Sequence, residues 1–159
     1  MSSGESAGRS AGRSAGRSIV LGYDRAPGAQ RALDIAIDLA KGFDLPLVIV
    51  HGVAPPGYVG EEATEAREAI GELDQSFIAP AVAAAEAAGA RVTVEVLDDK
   101  PAQALVAAAD RHDARVIVVG TWNESPLRGL ILGSVAHRLL QLSDRPVLCV
   151  PAAADDAGE

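Results

Sequence analysis

The stretch VIVVGTWNESPLRGLILGSVAHRLL, residues 116–140, decides the fold of this chain. It opens with an unbroken apolar run at residues 116–119, which is typical of a strand buried on both faces. Gly120 and Thr121 end that run, and a loop follows. A second apolar pattern then recurs at helical spacing, at Val135, Ala136, Leu139 and Leu140. The stretch therefore predicts a strand, a glycine-marked loop and a helix.

The predicted start of this helix, at Gly133-Ser134, has the features of an anion-binding site. The first turn of a helix leaves backbone N–H groups unpaired and carries a partial positive charge. Glycine allows the backbone to come close to a ligand, and Ser134 adds a hydroxyl donor. A phosphate group is the anion that such helix starts most often accept.

The same residues resemble the nucleotide-binding pattern of the universal stress proteins. That pattern is Gly, two residues, Gly, nine residues and then Gly-Ser or Gly-Thr. Here Gly120 takes the first place, Asn123 stands where the family has its second glycine, and nine residues separate Asn123 from Gly133-Ser134. Asparagine tolerates the left-handed backbone region better than other non-glycine residues, so the turn can form. The resemblance covers about residues 19–151.

The resemblance implies an adenine nucleotide as ligand, with ATP, with or without Mg²⁺, as the first choice. In the family, an Asp after the first strand contacts the nucleoside, and Asp24 stands there; a carboxylate can accept from a ribose hydroxyl. Backbone groups after the second strand recognise adenine, which points to Gly52. The implied nucleotide-binding residues are Gly22, Tyr23, Asp24, Gly52, Val119, Gly120, Thr121, Asn123, Gly133, Ser134 and Val135. Without the family match, the favoured interpretation of Asp24 is a loop carboxylate that caps the helix that follows.

Composition narrows the class of protein. A chain of 159 residues fits one domain, and 22 acidic against 14 basic residues give a net charge of −8, which argues against a nucleic-acid partner. No apolar run has membrane-spanning length, and the N-terminus lacks the apolar block of a secretory signal. Cys149 is the single cysteine, so no intrachain disulfide forms. These features predict a cytoplasmic protein.

Local sequence patterns predict the structure of the remaining segments. Residues 1–18 repeat Ser-Ala-Gly-Arg and predict a disordered low-complexity tail, residues 19–151 form the domain, and residues 152–159 form a loose acidic tail. Strands are expected from Ile19, at residues 45–53, at residues 92–96 as an edge strand, and at Val147–Val150. Helices are expected after Pro27 with Gly42 as a stop signal, at residues 61–88 with a break or kink at Pro80, and at residues 101–112.

This alternation of strands and helices predicts an α/β fold, a mostly parallel sheet with helices on both faces. The resemblance implies a single open five-stranded sheet in the order 3-2-1-4-5, the Rossmann-like arrangement of the adenine nucleotide alpha hydrolases. It also implies a homodimer that forms through the strand at residues 147–150, whose apolar edge would otherwise stay open.

The sequence contains no pattern that identifies an efficient enzyme. Walker-type Gly-x-x-x-x-Gly-Lys-Ser/Thr, Gly-x-Ser-x-Gly and His-Glu-x-x-His are all absent, and we assign no catalytic or metal-binding residue. The closely spaced Asp110, His112 and Asp113 are interpreted as a solvated helix end. We therefore expect a binding protein in stress response, with at most slow ATP hydrolysis.

Two other functions stay open. The first is a protein of the same fold that has lost nucleotide binding and acts through protein contacts. Its evidence is Asn123, Glu124, which repels phosphate, and Pro126, which removes an N–H donor from the loop. The second is a slow ATPase or a relative of the electron-transfer flavoproteins.

Overall fold

The computed structural model describes residues 16–24, 27–52, 75–97, 100–121 and 133–152. Most of the two predicted tails, residues 61–74 of the predicted second helix, and the loop that carries Asn123, Glu124 and Pro126 lie outside these residues.

The described residues form alternating strands and helices. In chain order these are β1 (Ser18–Gly22), α1 (Ala29–Phe43), β2 (Leu47–Gly52), α2 (described over residues 75–87), β3 (Val92–Leu97), α3 (Pro101–Arg111), β4 (Ala114–Gly120), α4 (Ser134–Leu142) and β5 (Val147–Val150). The five strands form one sheet in the order β3-β2-β1-β4-β5, and each neighbouring pair is parallel. The predicted fold class and strand order are confirmed.

The sheet has an apolar core on each face because successive strand residues point to opposite sides. Ile19 and Leu21 of β1 pack in a cluster with α1 and α2, whereas Val20 packs with α3 and α4 on the other side. Both faces of the central strands are buried, which explains their continuous apolar sequence. At the outer strand β3, Val94 and Val96 remain partly exposed. This fits the expected edge position.

The turns that follow α1 and α2 each contain a residue in the left-handed backbone conformation. Helix α1 continues through Gly42 to Phe43, and Asp44 takes the left-handed conformation at φ 54°. The prediction of Gly42 as the stop signal is therefore wrong: the N–H groups of Asp44 and Leu45 close the turn on the carbonyls of Lys41 and Ala40.

Helix α2 keeps its helical conformation through Pro80, so no break occurs there. Its turn closes at Gly89, with φ +88°, as expected. The N–H groups of Gly89 and Ala90 donate to the carbonyls of Glu86 and Ala85 in the paired pattern of a Schellman motif.

Charged side chains connect the elements at the amino ends of the strands. Arg145 donates to the carboxylates of Asp113 and Asp110, at 3.1 and 3.3 Å. It also donates to the carbonyl of Ala114 at 2.8 Å. Asp110 and Asp113, interpreted from the sequence as part of a solvated helix end, thus fix the arginine that precedes β5.

A second group of contacts lies beside the first. His112 Nε2 and Arg111 both contact the carboxylate of Glu95 in β3, the histidine at 2.6 Å. Ser18 Oγ donates to the carbonyl of His112 at 2.8 Å. Ser18 is the first residue of β1, one residue before the expected start.

Candidate functional site

A cleft opens at the carboxyl ends of the strands, where the strand order reverses. From β1 the chain moves to β2 and β3 on one side, and then returns to β4 and β5 on the other. Open parallel sheets bind ligands at this point because the flanking loops diverge there. The cleft is lined by Gly22, Tyr23, Asp24, Val50, His51, Pro101, Leu105, Val119 and Val135.

One wall of the cleft is held by a histidine and two aromatic rings. His51 Nδ1 lies 2.8 Å from the carbonyl oxygen of Tyr23. Since a carbonyl only accepts, His51 Nδ1 carries the proton and donates to Tyr23. The Phe77 ring stacks on Tyr23 at 5.1 Å between centroids and lies 5.9 Å from His51. These contacts fix the orientation of the carboxyl ends of β1 and β2.

The hydroxyl of Tyr23 remains protonated at neutral pH. Burial raises the pKa of Tyr23 above its ordinary value, and the negative charges of Asp24 and Asp34 raise it further. The two carboxylates thus make this wall negative, and Tyr23 is available as a neutral donor.

Glycines at the carboxyl edge permit close packing. A Cβ on Gly22 would lie 2.8 Å from a methyl carbon of Leu105 beneath the cleft. A Cβ on Gly120 would lie 2.6 Å from the backbone of Gly28 and Ala29 at the start of α1. Gly120 therefore faces α1. The absence of its side chain lets the helix approach β4.

The start of α4 lies beside the cleft, next to a second depression. Gly133 precedes the helix with φ 47°, and Ser134, the first helical residue, is exposed. Ser134 lines the second depression together with Lys100, Pro101, Ala102, Gln103, Val135 and Arg138. Pro101 and Val135 line both spaces, so the two are adjacent.

The structure brings together part of the predicted site. Gly22, Tyr23, Asp24, Val119 and Val135 line the cleft. Ser134 lines the adjoining depression. Two further predicted residues are not among those that line either space. Thr121 is buried and donates to the carbonyl of Val150 through its N–H and its hydroxyl. Gly52 pairs with Leu97 in the sheet. Gly133 precedes α4 as described above, and Asn123 lies outside the described residues.

Other cleft residues were missed from the sequence. Pro101 and Leu105 come from the first turns of α3, and Val50 and His51 from the end of β2. A helix that follows a parallel strand begins at the carboxyl edge of the sheet, so the predicted position of α3 already placed Pro101 near the ligand side. A single histidine after a strand is more often structural than catalytic, and the sequence alone does not mark His51 as a site residue. Its contact with Tyr23 is structural, but its ring also lines the cleft.

The described residues contain no group of three or more His, Cys, Asp or Glu side chains that could hold a metal ion. No helix in the described ranges is both long enough and apolar enough to cross a membrane.

Comparison with protein families decides the relationship. The model of the universal stress protein family matches residues 16–151. The chain belongs to the universal stress protein family. The resemblance seen in the Gly120–Ser134 region is thus confirmed over the whole domain. Comparison with curated protein sequences gave no match.

Solved structures of universal stress proteins share the fold. One from Archaeoglobus fulgidus is 30% identical, with a TM-score of 0.65, and the match covers 83% of this chain and 96% of that one. A universal stress protein in complex with cAMP is 28% identical, with a TM-score of 0.66 and coverage of 88% and 100%. The Archaeoglobus fulgidus protein in complex with dAMP is 27% identical, with a TM-score of 0.61 and coverage of 83% and 95%.

Proposed function

We propose that this universal stress protein binds an adenine nucleotide in the cleft and acts in stress response as a binding and regulatory protein. ATP, with or without Mg²⁺, is our first choice of ligand. The observation that carries the proposal is the position of the cleft at the reversal of strand order, with Asp24 on one wall and the start of α4 on the other. The cAMP and dAMP complexes of related proteins support it.

The chemistry of the walls suits a nucleoside. The Asp24 carboxylate can accept hydrogen bonds from ribose hydroxyls, and Tyr23 adds a neutral donor. The backbone of Gly52, at the end of β2, stays our candidate for adenine recognition. This arrangement supports binding, and we assign no catalytic residue.

Isothermal calorimetry with AMP and ATP tests the proposal. Asp24→Asn should weaken both nucleotides about tenfold, since a charge-assisted hydrogen bond to ribose is worth about 1.5–3 kcal/mol. Asp34→Asn is the matched control because it removes the same charge from the exposed face of α1. Equal losses in the two variants would show that only the overall charge matters, and no binding by the wild type would reject the proposal.

Substitutions at two positions of the family pattern, Gly133 and Asn123, separate this proposal from a protein that acts by protein contacts alone. Gly133→Val should obstruct the phosphate end, because Gly133 holds φ 47° and a branched side chain is strained there. Asn123→Gly restores the family pattern. We expect little change in affinity, whereas binding that appears only in this variant would favour the nucleotide-free function.

We further propose a homodimer that forms through β5. This edge strand and the neighbouring α4 expose large apolar side chains, with Leu148 at 38% and Leu140 at 54% exposure. An open apolar edge of this kind favours pairing with a second chain. Leu148→Glu should lower the mass measured by light scattering to that of a monomer. Val96→Glu at the opposite edge strand, β3, is the matched control and should leave the dimer intact; a monomeric wild type at micromolar concentration would reject the assembly.

A further inference from the structure

The cleft is smaller than a nucleotide, so a nucleotide bound there would extend into the adjoining depression. The cleft is narrow, with a volume of about 50 Å³, whereas the depression measures about 290 Å³. Pockets that bind small molecules and cofactors usually have volumes of about 300–1,000 Å³. Because Pro101 and Val135 form a shared wall, a ligand whose nucleoside enters the cleft extends into the depression.

The two spaces carry opposite charge. Asp24 lines the cleft, with Asp34 close enough to influence Tyr23. The depression is lined by the cations Lys100 and Arg138, and its described lining contains no acidic side chain. In a chain of net charge −8, such a pair next to the ligand cleft creates a local site for anions. A nucleotide would therefore bind with its phosphates toward Lys100 and Arg138.

The two cations are presented by helices that pack against each other. Arg138 lies one turn after Ser134 on α4, so both side chains are on the same face of the helix. Lys100 directly precedes α3 in an extended conformation. Buried residues of both helices, among them Leu105 and Leu139, share one core cluster, which fixes the two helices relative to each other. Arg138 makes a long contact of 3.5 Å with Gln141 that a phosphate oxygen can replace.

We propose that Lys100 and Arg138 bind the terminal phosphates of the nucleotide and make the site select a nucleoside triphosphate over a monophosphate. This inference rests on the proposed nucleotide function. With the nucleoside in the cleft, a monophosphate extends less far into the depression than a triphosphate and gains less from the two cations. A triphosphate reaches both, and Arg138 can hold two of its oxygens at once.

Calorimetric titration of ATP and AMP into the wild type, Lys100→Gln, Arg138→Gln and the double variant tests the selectivity. The wild type should prefer ATP. Arg138→Gln should weaken ATP about tenfold and AMP less than about twofold, since the lost contact is a charge-assisted one. Lys100→Gln should have a smaller effect, because Asp98 and Asp99 precede Lys100 in the sequence. Lys41→Gln, at the far end of α1, is the control for loss of one positive charge.

The outcomes separate this inference from the proposed function. A fall in the ratio of ATP to AMP affinity in the double variant, with AMP binding and melting temperature unchanged, supports the selectivity. An unchanged ratio, or a wild type that binds AMP as tightly as ATP, overturns it and leaves nucleotide binding in place. A wild type that binds neither nucleotide overturns both. A loss in Lys41→Gln equal to that in Arg138→Gln would show that only net charge acts, which also overturns the selectivity.

Discussion

The two ends of the sheet are held together in different ways. At the amino ends, long charged side chains connect the elements, with Arg145 donating to Asp113, Asp110 and the carbonyl of Ala114. At the carboxyl ends, backbones approach directly, and a Cβ on Gly120 would lie 2.6 Å from the backbone of α1. Charged side chains therefore provide cohesion at the amino ends. At the carboxyl ends, close glycine packing acts together with the contacts among His51, Tyr23 and Phe77, and Tyr23, Asp24 and His51 line a cleft.

The largest effect is expected from breaking the glycine packing. Gly120→Ala places a methyl group against the backbone of Gly28 and Ala29, which cannot move away as a flexible side chain could. We expect a loss of about 3 kcal/mol in the free energy of unfolding, at the upper end of the usual cost of overpacking. Urea denaturation followed by circular dichroism measures it.

Gly42→Ala is the matched control, since it adds the same methyl group to a glycine with no atom within 4 Å. Gly42 lies inside α1, where alanine stabilises a helix by about 0.5–1 kcal/mol relative to glycine. The two variants should therefore move stability in opposite directions. A Gly120→Ala variant as stable as the wild type would show that the carboxyl edge adapts easily.

The fold was predictable because its signals are local and repeated. Continuous β-branched runs, such as the one in β4, indicated buried parallel strands, and the alternation in β3 indicated an edge. The end of α1 was not predictable in this way. Both Gly42 and Asp44 can follow a helix, and the choice of Asp44 depends on closure against Ala40 and Lys41, with Arg91 contacting the Asp44 carbonyl at 2.9 Å from across the chain.

The candidate site was predictable only in part, because its residues come from distant segments. The family pattern pointed to Gly120 and Ser134, yet it does not state which way each residue faces. Gly120 faces α1, and Ser134 faces a depression whose cations, Lys100 and Arg138, belong to no motif we identified. Side-chain direction depends on helix packing, and a linear pattern of glycines carries no information about it.

The second largest effect is expected at the amino end. Arg145→Gln removes three charge-assisted contacts from a side chain that is 24% exposed. We expect a loss of about 1–2 kcal/mol, more than an exposed pair contributes and less than a fully buried one. Thermal denaturation measures it. The control is Arg31→Gln, whose exposed contact with the Pro151 carbonyl should contribute less; equal losses would mean that Arg145 is no more than a surface charge.

The smallest effect is a pH dependence at Glu95. Partial burial alone would raise the pKa of Glu95, but hydrogen bonds from His112 and Arg111 outweigh it and hold the pKa below its ordinary value of 4.5. Because the carboxylate is more acidic in the folded state, it stabilises the fold above that value. The contribution is lost as the pH falls through the folded-state pKa. Solvent exposure of Arg111 limits the contribution to about 1 kcal/mol or less.

Melting temperatures of the wild type and Glu95→Gln, compared between pH 7 and pH 3, check this sign. The variant should be less stable at pH 7, and the gap should narrow toward the acid end, as the pH falls through the folded-state pKa and the wild-type carboxyl gains its proton. Asp38→Asn, a change at an exposed acid on α1, should give no such closing gap. A Glu95→Gln gap that stays constant with pH would mean that the glutamate acts through shape and neutral hydrogen bonding. The contacts of Glu95 with Arg111 and His112 would then stabilise the fold through packing, as the glycines at the carboxyl ends of the strands do.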